Sequence, residues 1–145
     1  MLYLLKNFSD PFCKFLTEDP VRPDINVEKR LGKNKDVFIL MSDDNEVESI
    51  ACVSYQNIIP VNETELFDEC DKPTFAIIYS IWSYKYGAGK KLMMDNITFI
   101  KENYTHIKRY ITFCPKKPSA YTFNVKNGAS LIHESKNFLN FEYKF

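Results

Sequence analysis

The sequence predicts an α/β fold in which one mixed sheet carries helices on its faces. Three observations predict it. Phe75–Trp82 is apolar at nearly every position, the pattern of a central strand covered on both sides. A short loop with two glycines follows, and then an amphipathic stretch whose Met93, Ile97, Ile100 and Tyr104 form one helical stripe. Upstream, the apolar runs Val37–Met41 and Ser49–Tyr55 flank the polar turn Ser42-Asp43-Asp44-Asn45-Glu46, which reads as an antiparallel hairpin.

The remaining elements follow in order. Leu2–Leu5 reads as a short first strand. Ser9-Asp10-Pro11 is a cap with proline in the first helical turn, and Phe12, Phe15 and Leu16 give that helix its apolar face. Pro20 and Pro23 end it. A second short helix covers Val27 to Leu31 and stops at Gly32. Pro60 to Pro73 is polar, with a helical centre around Thr64–Cys70. After the central strand and its helix, Arg109–Cys114 is another strand. Ser119 caps a helix through Val125, ended by Asn127-Gly128. Ser130–His133 and Phe138–Phe145 are the last strands. In the latter, Leu139, Phe141, Tyr143 and Phe145 share one face, and Asn140, Glu142 and Lys144 the other.

With 145 residues, the chain is expected to form a single domain with a real core. Its formal charge is zero, whereas binders of nucleic acid or anionic membranes usually carry a basic excess. Neither partner is expected. No apolar run reaches the roughly 18 residues of a membrane span, and the start has no signal-peptide pattern, so a cytoplasmic location is expected. The four cysteines, at 13, 52, 70 and 114, are widely spaced with no CxxC. They read as free thiols, and no metal site is expected.

The strand-loop-helix from Phe75 to Lys101 is an anion site in outline. Glycine lets the backbone approach a ligand closely, and the helix N-terminus adds partial positive charge. Ile81, Trp82, Tyr84, Lys85, Tyr86, Gly87, Ala88, Gly89 and Lys90 are the candidate ligand-binding residues. Lys85, Lys90 and Lys91 read either as phosphate partners or as a solvated helix start. Trp82 reads either as ligand contact or as packing.

These residues resemble the GNAT superfamily of acyl-CoA-dependent enzymes, whose pyrophosphate loop reads Q/R-x-x-G-x-G/A between a central strand and a helix. Tyr84-Lys85-Tyr86-Gly87-Ala88-Gly89 keeps both glycines and has tyrosine in place of Gln or Arg. More narrowly, the chain resembles the catalytic domain of malonyl-CoA decarboxylase. The matching segments are Ile78-Tyr79-Ser80-Ile81, Thr112-Phe113-Cys114-Pro115, Phe123–Ala129 and Asn140-Phe141-Glu142-Tyr143. The resemblance implies a mostly antiparallel central sheet flanked by helices, with coenzyme A or an acyl-CoA as ligand. It also implies that Cys114 and Asn124 stand where the family has its catalytic serine and histidine, while the family's tyrosine is kept as Tyr143.

Three activities are open at this point. One is decarboxylation of malonyl-CoA to acetyl-CoA and CO2, which needs donors for an enolate oxygen and a proton source. Cys114 is a weaker donor than serine, and Asn124 delivers no proton near neutral pH. The second is transfer of acetyl from acetyl-CoA to a small amine or a protein acceptor, which needs a base; the central strand has no Asp, Glu or His, and Tyr79, Ser80, Tyr121 or a water relay are the candidates. The third is binding of CoA without catalysis. Cys114 also reads as an acyl-accepting nucleophile, given a lowered pKa.

Overall fold

A computed structural model describes residues 1–144. The position expected for Phe145 on the last strand lies outside them.

Among the described residues, eight strands form one sheet. β1 (Leu2–Leu5), β2 (Lys35–Met41), β3 (Val47–Gln56) and β4 (Phe75–Ser83) run antiparallel in chain order. β4 then pairs in parallel with β5 (Arg109–Thr112). A parallel neighbour requires a crossover, and helix α1 (Ala88–Asn103) supplies it. The rest of the chain is β6 (Cys114–Pro115), helix α2 (Pro118–Lys126), β7 (Ser130–Glu134) and β8 (Phe138–Tyr143). β8 pairs with β5 and β6 along one edge and with β7 along the other.

The sheet is buried on both faces. On one, α1 sets Leu92, Met93, Ile97 and Ile100 against Phe38, Val53 and Ile78, all 0–2% exposed. Each such side chain contributes roughly 1.5–3 kcal/mol on burial. On the other face, Leu16, Ile25, Leu31 and Leu66 cover Val37, Ile39, Cys52, Ile77 and Phe113. Leu16 and Leu66 come from the 3-10 helices Pro11–Glu18 and Glu63–Leu66, and Ile25 and Leu31 from irregular chain on either side of a third, Val27–Lys29. The first starts as expected, with Asp10 accepting from the Phe12 N–H. The other two are shorter than the sequence pattern suggests, single 3-10 turns closed by the Arg30 N–H on the Val27 carbonyl and the Phe67 N–H on the Thr64 carbonyl.

Two expectations are corrected. Arg109–Cys114 is not one strand, since the ladder opens at Phe113. Polar side chains fill the gap: Asn140 Nδ2 donates to the Thr112 carbonyl, and Thr112 Oγ1 accepts the Phe141 N–H. The second helix starts at Pro118, so Lys117 holds the N-cap position and Ser119 lies in the first turn. The fixed φ of proline sets that start.

The polar face of β8 is also buried at Asn140 and Glu142. Arg109 grips Glu142 with two hydrogen bonds of 2.8 Å, holding the carboxyl below its usual range. A depressed carboxylate stabilises the fold above the unfolded pKa, and that contribution disappears as pH falls through the folded value. Between about pH 6 and about pH 3, the melting temperature of Glu142→Gln is therefore expected to fall less than that of the wild type. Equal falls would contradict this.

Candidate functional site

The site begins as a defect in the sheet. Cys52 pairs with Ser80 and Val53 with Ile78, leaving Tyr79 as an extra residue in β4. Such a bulge bends its strand and re-aims the side chains after it. The pairing of β4 with β5 ends one residue earlier, at Ile78 and Thr112. One more bond, from the Phe113 N–H to the Ile78 carbonyl, closes the pair, and the strands then diverge. A cavity of about 330 Å³ lies between them, roofed by Gly89 and Met93 of α1 and by Phe123 and Asn124 of α2. Ser83, Gly89 and Phe123 line this cavity and also an outer recess of about 680 Å³ around the glycine loop.

The two glycines of the loop serve different ends. Gly87 has φ +82°, in the left-handed region that disfavours side chains. Gly89 has helical backbone, but a Cβ there would meet Ser83 Oγ at 2.9 Å and the Phe123 ring at 3.4 Å. Its absent side chain lets α1 start hard against the end of β4. The loop is pinned by the Tyr84 N–H on the Glu48 carbonyl at 2.8 Å. Gly89 and Lys90, in the first turn of α1, have no intrahelical acceptor for their N–H groups.

The side chains of the loop divide. Tyr84 Oη accepts from Trp82 Nε1 at 3.1 Å and donates to Glu18 at 2.5 Å, bracing the loop on the first 3-10 helix. Lys85 pairs with Glu48 at 3.0 Å, and Lys91 with Asp95 at 2.7 Å. Tyr86 is fully exposed. Ile81 and Trp82 line the inner cavity, and Ala88 is buried. Lys90 and Lys126 line the outer recess, and neither has an ion-pair partner among the described residues.

At the inner end, Cys114, Asn124 and Tyr143 form one hydrogen-bonded chain. Tyr143 Oη donates to Asn124 Oδ1 at 2.7 Å. Asn124 Nδ2 donates to Cys114 Sγ at 3.5 Å and to the Ala120 carbonyl at 2.9 Å. The thiol of Cys114 reaches Thr112 Oγ1 at 3.4 Å. Cys114 and Asn124 line the cavity, whereas Tyr143 stands behind Asn124, only 2% exposed. Burial pushes the Tyr143 hydroxyl well up. It likewise pushes the Cys114 thiol up, despite its hydrogen bonds with Thr112 and Asn124 and the nearby Arg22 charge.

A lowered thiol pKa, which an acyl-accepting Cys114 needs, is therefore not what its surroundings supply. Lys116, its near neighbour in sequence, pairs with Glu134 instead. Iodoacetamide is expected to alkylate Cys114 at about pH 7.5 much more slowly than a free model thiol, read by peptide mass spectrometry. A rate equal to the model thiol would contradict the burial account.

Sequence reasoning missed three buried charges beside this cavity: Asp19, Arg22 and Arg30, at 1–4% exposure. Asp19 Oδ2 accepts from Arg30 at 2.6 Å and from Ser80 Oγ at 2.7 Å. Arg22 donates to the carbonyls of Tyr79 and Phe113 at 3.3 and 2.7 Å. Nothing in the sequence marks them: Asp19 and Arg22 fall beside the prolines expected to end the first helix, and Arg30 in the short helix expected over Val27 to Leu31. Neither histidine lines the cleft, and no carboxylate lines the inner cavity among the described residues.

No family model matches the chain, and no curated protein matches it in sequence. Solved structures do match it in shape. A malonyl-CoA decarboxylase from Rhodopseudomonas palustris aligns with a TM-score of 0.74 at 14% identity, over 98% of this chain and 59% of that one. One from Agrobacterium vitis gives 0.70 at 15%, over 94% and 38%. The chain thus spans less than two thirds of either decarboxylase. A Bacillus subtilis acetyltransferase solved in complex with CoA gives 0.67 at 12% identity, over 99% of this chain and 97% of that one. The chain has the GNAT fold, with the mostly antiparallel sheet expected of it.

Proposed function

We propose, from the GNAT fold as premise, that residues 1–145 form a single acyl-CoA-binding unit whose acyl group reaches Cys114 and Asn124. The observation that carries this is the route of the cleft. It leads from the glycine loop, between the diverging ends of β4 and β5, to the Cys114–Asn124 pair. A pantetheine-sized chain needs such a slot, and its diphosphate needs backbone donors at a helix start. Lys90 and Lys126 add cations where the phosphates would lie. A structural neighbour with CoA bound supports the same ligand.

The finer reading is decarboxylation of malonyl-CoA or a similar β-carboxyl thioester. In that reaction the bond between the carboxylate and the α-carbon breaks, CO2 leaves, and the electron pair becomes a thioester enolate that takes a proton on carbon. Asn124 Nδ2 keeps one N–H on the Ala120 carbonyl and would turn the other from Cys114 Sγ to the enolate oxygen, while Tyr143 holds that amide in place through Oδ1. Asn124 delivers no proton at neutral pH, so the enolate carbon takes its proton from the Cys114 thiol, which burial keeps protonated, or from water, and turnover is expected to be slow. Shape similarity to the two decarboxylases supports this reading, and the acetyltransferase is alike in shape to a similar degree. Acetyl transfer to an amine needs a base, and the inner cavity has neither carboxylate nor imidazole among its lining residues.

Calorimetry with CoA tests the binding reading, and absence of heat or of a melting shift would remove it. Malonyl-CoA alone, followed by chromatography for acetyl-CoA, tests the chemistry. Turnover without any amine favours the decarboxylase. If the wild type is silent, Cys114→Ser combined with Asn124→His is the decisive variant. Silence there too would leave a binding protein without this catalysis.

A further inference from the structure

We propose that Arg22 is a positioning residue for the acyl end of the cleft, fixing the gap between the diverging strands from the side opposite α1. The bulge at Tyr79 and the break at Phe113 leave two backbone carbonyls facing the split rather than a neighbouring strand. One guanidinium takes both. Nε reaches the Tyr79 oxygen at 3.3 Å, and Nη2 the Phe113 oxygen at 2.7 Å. Nη1 reaches Glu63 Oε1 at 3.3 Å. The planar fork also stacks over the rings of Phe113 and Phe138, at 4.6 and 5.2 Å from their centres.

A lysine has one point charge and no plane, so it cannot reproduce two carbonyl contacts and the stacking together. The guanidinium is held in turn from its own backbone. Asp19 accepts from the N–H groups of Val21 and Arg22, and Arg30 donates to the Arg22 carbonyl at 2.8 Å. Tyr79, Phe113, Pro20 and Val21 all line the inner cavity. Arg22 therefore acts on cavity walls that it does not itself form, setting their separation where a thioester would lie. The phosphate end, at the glycine loop, is outside its reach.

This assignment rests on acyl-CoA being the ligand, and the test separates the two. Dissociation constants for CoA, acetyl-CoA and malonyl-CoA are measured on wild type, Arg22→Lys and Arg22→Met, each checked for folding by circular dichroism. In the variants the constant for CoA is expected to change less than about twofold, while those for the acyl-CoAs rise about tenfold relative to CoA. A merely structural arginine would move all three together, or none, and either pattern overturns the proposal. Should Arg22→Met not fold, Arg22→Lys decides alone. A crystal structure of the wild type with acetyl-CoA gives an answer that needs no variant. An acyl group lying between Tyr79 and Phe113 supports the assignment, and one lying elsewhere overturns it. If wild type binds no CoA at all, the ligand reading itself has failed, and the assignment falls with it.

Discussion

Asp19→Ala is expected to lower the unfolding free energy by about 3–5 kcal/mol, the cost of leaving a buried cation without its partner. That is a large share of the roughly 5–15 kcal/mol that holds a domain together. The carboxylate is 0% exposed, and its Arg30 partner 1%. Four donors converge on it: the backbone N–H groups of Val21 and Arg22, Ser80 Oγ, and Arg30 Nη1. Alanine removes every acceptor and leaves the Arg30 charge in an apolar layer beside Leu16, Ile25 and Cys52. Urea unfolding followed by circular dichroism gives the number, and a loss under about 1 kcal/mol would contradict the account. Adding Arg30→Met to Asp19→Ala is expected to recover part of the loss, because removing both charges is less costly than stranding one.

Gly89→Val is expected to weaken CoA binding more than about tenfold, a loss of at least about 1.4 kcal/mol. It should also destabilise the fold by about 1–3 kcal/mol through overpacking. The branched side chain would collide with Ser83 Oγ and Phe123, pushing the first turn of α1 off the end of β4. Ser83 is itself held by Ser49 Oγ at 3.2 Å, so it yields little. Gly87→Ala differs in kind. Its Cβ enters open space, and its cost is the backbone penalty at φ +82°, about 1–2 kcal/mol. Calorimetry on both variants separates the two roles, and an unchanged CoA constant in Gly89→Val would remove the helix start from the ligand site.

Much of this was legible in the sequence because it is local. The run Phe75–Ser83, the loop and α1 each carry their pattern within a few residues, as does the hairpin of β2 and β3. Cys114, Asn124 and Tyr143 were grouped through the resemblance and not by any pattern of their own, and hydrogen bonds join them in the structure. What was not legible depends on register. Nothing in Ile78-Tyr79-Ser80 says that Tyr79 is the odd residue against β3. Likewise, Arg109–Cys114 has strand composition throughout, and only the side chains of Thr112 and Asn140 break it. Tyr84 falls where the resembled motif has Gln or Arg, yet it turns away to Glu18. Asp19, Arg22 and Arg30 carry no pattern that pairs them: Asp19 meets Arg30 across 11 residues of irregular chain, and their other partners Ser80, Tyr79 and Phe113 lie 57 to 91 residues away.

Those distances say something about how the chain reaches its native state. The Arg22 contacts to Tyr79 and Phe113 span 57 and 91 residues of sequence. The β2–β3 hairpin, by contrast, closes across a handful of residues. Closing a long loop costs entropy before its contacts give anything back, so pairings at such range form late. The hairpin and α1 can organise early, while the guanidinium locks in only once β4 and β5 already lie side by side. An interaction absent from the folding transition state acts mainly on the unfolding rate. Arg22 is thus a latch on a finished molecule, governing how long the native state lasts more than how fast it is reached.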